Sequence, residues 1–240
     1  MTILLVQGNA YGAKSGSTIP VTLSSTPTSG NVLIATICNN KEGPSPVTVS
    51  SISQTGVTWT LQKAHYYYWS SPYVTFDCEI WLGVVGSGAS KDITINLSGT
   101  PAYGAFADVC EWSGVATSDF LDQTASNQNE NSAQTDTGTT STTTQANELW
   151  IGAVAACNTQ SSPTNGFTLL DGEYVSGFIC MGYLYKIVSS TGAANTGTTV
   201  GYADHWVGCI ATFKAAEAGG QPYISRVQRI PGMKTYGGNL

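Results

Sequence analysis

The sequence predicts an all-β fold: a two-layer antiparallel β-sandwich with pseudo-duplicated halves. Three observations carry this. Helical periodicity is almost absent, and short alternating or wholly apolar runs recur between clusters of Gly, Pro, Asn and Ser. Only 10% of the residues are charged, so the surface must be built from Ser, Thr, Asn, Gln and Gly rather than from the Lys and Glu of exposed helices. Apolar residues make up 41% of the 240, enough for a real core.

Taken in order, strands are predicted at 3–6, 19–23, 32–37, 47–52, 59–64, 76–85, 93–97 and 104–112. A polar interval follows, then strands at 149–155, 168–170, 179–188, 198–202 and 207–213. Each is rich in β-branched or aromatic residues and bounded by turn formers. The interval 123–146 (QTASNQNENSAQTDTGTTSTTTQA) holds almost no apolar residue. A linker, an exposed edge strand and a long loop all fit it.

An echo flanks that interval. Asn31-Val-Leu-Ile is matched by Asn147-Glu-Leu-Trp, Gly56-Val-Thr-Trp by Gly166-Phe-Thr-Leu, and Trp81-Leu-Gly-Val-Val by Leu184-Tyr-Lys-Ile-Val, in the same order. Each half closes on an aromatic strand, at Trp112 or Phe213. The expected organisation is one sandwich over 1–217, with halves at about 1–122 and 147–217, and a separate C-terminal arm over 218–240. Six scattered cysteines lack metal-ligand spacing and are expected to be reduced, most of them buried in strands.

Candidate chemistry is sparse. No nucleophile elbow, phosphate-binding loop or dinucleotide fingerprint occurs, so no catalytic residue, cofactor or metal is expected. There are two histidines: His65, and His205, which should point away from its strand neighbour Asp204. Asp77 and Glu79 share a strand face, an arrangement glycoside hydrolases use, but a solvated sheet face explains them more simply. The run His65-Tyr-Tyr-Tyr-Trp69-Ser-Ser-Pro-Tyr73 is the most unusual local feature. Tyr66 and Tyr68 share one face and Tyr67 and Trp69 the other, so one set belongs to the core. Tyr66, Tyr68, Trp69 and Tyr73 are the candidate glycan-binding aromatics.

Charge is unevenly placed. Residues 1–217 hold all 15 acidic and six of the nine basic residues, a balance of −9; residues 218–240 hold Arg226, Arg229 and Lys234 and no acid. An acidic body repels phosphate backbones, which excludes nucleic acid as a partner. No run is long and apolar enough for a membrane span, and the opening MTILLVQGNAYG does not read as a signal peptide, so synthesis in a cytosol is expected. The arm alternates apolar and polar positions over Tyr223-Ile224-Ser-Arg226-Val-Gln-Arg229-Ile before Lys234. It reads either as a partner-binding strand, through Tyr223, Ile224, Arg226, Arg229 and Lys234, or as a frayed terminus.

The series GNVLIATI, SSISQTGVTWTLQ, CEIWLGVVGSGASKDITINLSG and ATSDFLDQTAS resembles a jelly-roll or concanavalin-like β-sandwich domain. Such domains occur in phage virion proteins and bacterial surface proteins. The resemblance implies a non-enzymatic virion structural protein made in the host cytoplasm: a capsid decoration protein first, a tail or fibre component next. It would form homo-oligomers or bind other virion proteins through the arm, and its outer strands could contact host-surface glycans. A carbohydrate-binding module or lectin is the alternative. A glycoside hydrolase or lyase ranks third, since it needs a third acidic group beside Asp77 and Glu79.

Overall fold

The computed structural model describes residues 1–14, 16–171, 174–175 and 179–217; at 9–14, 171, 174, 175 and 179 only the backbone is described. No helix occurs among the described residues. Fifteen strands follow one another: β1 (Leu4–Lys14), β2 (Thr18–Thr22), β3 (Val32–Glu42), β4 (Val49–Ser53), β5 (Val57–Trp69), β6 (Val74–Val85), β7 (Asp92–Leu97) and β8 (Ala105–Ser113), then β9 (Leu121–Gln134), β10 (Asn147–Ala156), β11 (Gln160–Ser161), β12 (Thr168–Asp171), β13 (Tyr174–Val175), β14 (Ile179–Ser189) and β15 (Thr199–Lys214). All pairings are antiparallel, and the expected all-β sandwich is what forms.

Two large sheets lie face to face. Sheet I has the order β1-β8-β3-β6-β5. Sheet II has the order β11-β15-β10-β14-β12, with β9 also paired to β15 and β13 to β14. Between them Val32, Ile34, Phe76, Ile80, Leu82 and Trp112 meet Leu149, Ile151, Tyr183, Val207 and Phe213 in the central core. A third sheet, β2-β7-β4, covers the outer face of sheet I, where Ile19, Val21, Ile93 and Ile95 pack on Leu33, Ala35, Ile37 and Val109.

Burial patterns follow from this layering. β3 is apolar on consecutive positions, and its first nine residues are buried, because protein covers both of its faces. β2 and β7 alternate buried and exposed, since only one of their faces is covered. The two large sheets also repeat one plan. Opposite β1-β8-β3-β6-β5 stands β9-β15-β10-β14-β12, and the segments that echo in sequence occupy matching strands: β3 with β10, β6 with β14, β5 with β12. The turns entering β5 and β12 place Gly56 and Gly166 in the left-handed region, at φ 71° and 72°. A Cβ at Gly56 would lie 2.7 Å from the Ala89 backbone, so glycine is required there sterically as well.

The interval 123–146 is ordered into the body. Its first part continues β9 along β15, and Thr135–Thr143 then runs beside 192–198, joined by backbone bonds such as Thr137 N to Thr196 O at 2.8 Å. The arm residues Tyr223, Ile224, Arg226, Arg229 and Lys234 lie outside the described residues.

Candidate functional site

The aromatic run forms the end of β5 and the turn into β6. Strand alternation sends Trp69 inward: it is 4% exposed and rests against Tyr67 (4.9 Å between rings), Phe76 (5.6 Å) and His205 (4.9 Å). Trp69 is therefore a core residue, contrary to its place among the candidate sugar-facing aromatics, because its face of β5 lies over sheet II. Tyr68 is half-buried, edge-on to Tyr73 at 5.8 Å. Tyr66 and Tyr73 keep exposed rings, Tyr73 at 56%.

Beside Tyr73 opens a cleft of about 210 Å³. Five separate segments build it: the end of β3 (Asn40, Glu42), the 72–76 turn and strand start (Pro72, Tyr73, Val74, Phe76), the loop before β8 (Tyr103), the turn after β10 (Cys157), and β15 (Asp204, His205). Asn40 is fully buried. Its Oδ1 accepts from Tyr103 N at 3.2 Å, but its Nδ2 has no hydrogen-bond partner among the described residues. A buried amide donor left unpaired costs about 1–3 kcal/mol. Tyr103 donates its hydroxyl to Glu42 Oε1 at 2.7 Å. Tyr73 adopts φ 66°, rare for an aromatic residue. It is held by Gly43 N donating to Tyr73 O at 3.0 Å and by Thr75 Oγ1 donating to Gly43 O at 2.6 Å.

Asp204 and His205 do not diverge as adjacent strand residues should. The Asp204 Oδ1 accepts from His205 N at 2.7 Å and from His205 Nδ1 at 2.8 Å. The register of β15 against β9 shifts on both sides of Asp204, and this bulge breaks the alternation, so both side chains reach the cleft wall. Cys157 lies against the same carboxylate. Burial first, and then the Asp204 charge, push its thiol up to about 12, so it stays protonated at neutral pH. His65 stands outside the cleft: its Nε2 pairs with Gln128 Oε1 at 2.7 Å, joining β5 to β9, and burial lowers its pKa.

The strand carboxylates are also placed differently from expectation. Asp77 and Glu79 are each 1% exposed, because their face of β6 is roofed by the third sheet rather than by water. Asn39 Nδ2 donates to Asp77 at 3.0 Å; Val49 N and Trp81 Nε1 each donate to Glu79 at 2.6 Å. Burial raises the pKa of both. Glu79 thereby ties sheet I to the third sheet, whereas the Asp77 bond stays within sheet I, between β3 and β6. Glu111 likewise holds Thr28 N (2.8 Å) and Asn31 Nδ2 (2.7 Å).

A second surface feature lies at the edge of sheet I. Met1, Leu4, Leu5 and Val6 are exposed, Leu4 at 57% and Val6 at 47%. The Met1 amino group donates to Ala216 O at 2.9 Å, so the chain leaves the described body beside this edge.

Among the described residues no group of three or more His, Cys, Asp or Glu could hold a metal ion. No helix among them is long and apolar enough to cross a membrane. Comparison with protein-family models, with curated proteins and with solved structures found no match. Sequence reasoning reached Tyr73 and noticed Asp204-His205, but missed Asn40, Glu42 and Tyr103. These come from segments distant in the chain, and no local motif marks them.

Proposed function

We propose that this chain is a non-enzymatic structural protein of a virion, a capsid decoration, tail or fibre component that assembles through the edge of β1 and the C-terminal arm. The observation that supports the reading is the uncharged, apolar run Leu4-Leu5-Val6 on an edge strand of sheet I, next to Ala216. Edge strands are ordinarily blunted by charge, proline or cover, because their free backbone groups and apolar side chains recruit further strands. Here the first eight residues carry no charged side chain and no proline. The arm that follows alternates like a strand and brings three positive charges to a body of opposite sign. In this reading the partner is another copy of the chain or a neighbouring virion protein, and the low-charge sandwich is the displayed body.

Sedimentation velocity of the full chain, of a chain ending at residue 217 and of Val6→Lys tests this. A defined oligomer of the full chain that dissociates in both variants, with their circular dichroism unchanged, is the expected result. A full-length monomer that also fails to co-sediment with particles from its source would overturn it. The cleft beside Tyr73 favours a second reading, a carbohydrate-binding module. A hydrolase or lyase gains no support from Asp77 and Glu79, which are enclosed between layers.

A further inference from the structure

We propose that the cleft between the Tyr73 turn and β15 is a subsite for one neutral hexose-type residue of a glycan. Its chemistry is that of a sugar ring, which presents hydroxyls that both donate and accept, around an apolar C–H face. The fully buried Asn40 is among the residues that line the cleft, and its Nδ2 donor has no acceptor among the described residues. Such a donor calls for an acceptor oxygen arriving from outside. Glu42 and Asp204, which also line the cleft, offer carboxylate acceptors for ring hydroxyls. Tyr73 and Tyr103, both about half exposed, supply aromatic faces on which a sugar C–H face can lie.

Size and charge narrow the class. The cleft, at about 210 Å³, falls below the usual 300–1,000 Å³ of drug-sized pockets, so it suits one ring of a longer chain and not a whole oligosaccharide. Two carboxylates repel sialic and uronic acids, leaving neutral hexoses and N-acetylhexosamines. The turn is fixed before any ligand arrives: Tyr73 is latched to Gly43, and Tyr103 to both Asn40 and Glu42. Preorganisation of this kind reduces the ordering cost of binding.

This subsite is independent of the β1 edge, so its test leaves the assembly reading untouched. The full chain is screened on an array carrying neutral, sialylated and uronate-terminated glycans. Saturation-transfer NMR with methyl glycosides of glucose, galactose, mannose and N-acetylglucosamine then follows. Neutral glycans are expected to bind, with a single ring held at roughly millimolar Kd. Tyr73→Ala and Glu42→Gln, both at exposed positions, should each weaken binding about tenfold with unchanged melting temperature. Tyr66→Ala, outside the cleft, and Val6→Lys should leave it unaltered. No binding to any neutral glycan, binding that survives both cleft variants, or a preference for acidic sugars would overturn the proposal.

Discussion

The two large sheets need the same service, a cover for the outer face, and obtain it from different materials. Over sheet I the cover is apolar: Ile19, Val21, Ile93, Ile95 and Leu97 point inward from β2 and β7 while their neighbours face water. Over sheet II it is a threonine run. Thr135, Thr137, Thr140 and Thr143 are all buried, and so are Thr196 and Thr198 in the segment they pair with. Their hydroxyls are occupied: Thr137 Oγ1 donates to Thr196 O at 3.0 Å, and Thr198 Oγ1 to Gln160 Oε1 at 2.7 Å. The difference teaches that a buried layer can be built from hydroxyls provided that each finds a partner. Such a layer gains less per side chain from leaving water and depends more on position.

The largest effect should come from thinning the apolar cover. Ile95→Ala removes a fully buried side chain between β7 and sheet I and should cost about 2–5 kcal/mol. Thr198→Val on the other side deletes hydroxyl bonds to Gln160 and Thr135 while keeping the volume, and should cost about 1–1.5 kcal/mol. Urea unfolding of both variants checks the ranking. Equal costs would mean that the threonine cover contributes through packing as strongly as the apolar one.

Closeness of approach is the next distinction. A Cβ at Gly197 would lie 1.8 Å from Thr135 O, a backbone atom that cannot swing aside. Gly197→Ala should therefore push the threonine run off sheet II at a cost of about 1–3 kcal/mol. Amide hydrogen exchange should rise at 135–143 and leave β2 and β7 protected. Uniform loss of protection across both covers would break the claim that the two outer layers respond separately.

This contrast also explains what could be read from the sequence. The apolar run of β3 and the alternation of β2 and β7 are direct prints of two-sided and one-sided burial, so the strands and the fold class were legible. The threonine cover was not, since Thr-rich polar sequence suits a linker, an exposed edge or a buried ladder equally well. What distinguishes them is the set of partners far along the chain, such as Thr196 and Thr198, 59 and 63 residues away. The inward turn of Trp69 needed knowledge of which face of β5 meets sheet II, and the convergence of Asp204 and His205 needed a bulge that alternation cannot foresee. The cleft gathers side chains from Asn40 to His205, so only its Tyr73 corner lay within an unusual local run.

A matched pair of acids sharpens the comparison at its finest scale. Glu79 and Glu148 each accept from a tryptophan two residues on, Trp81 at 2.6 Å and Trp150 at 2.9 Å. Glu79 uses its second oxygen to accept from Val49 N, so Glu79→Gln must present an amide N–H2 to a donor and should destabilise at every pH. At Glu148 no backbone N–H fills that role: its other oxygen, Oε1, is buried with no hydrogen-bond partner among the described residues, and burial, then the neighbouring Asp122 side chain, raise its pKa to about 7. A carboxyl with a folded pKa above its unfolded value gives its full stabilisation below the unfolded pKa, near 4.5, and loses it as pH rises through about 7. Glu148→Gln is neutral throughout, so its stability relative to the parent should grow between pH 5 and pH 8, by about 2–3 kcal/mol. Thermal melts of the two variants across that range decide it. A gain for Glu148→Gln at pH 8 beside a loss for Glu79→Gln is expected. The same sign for both would show that the two tryptophan-bound acids do one job, and that the chemical difference between the covers stops short of them.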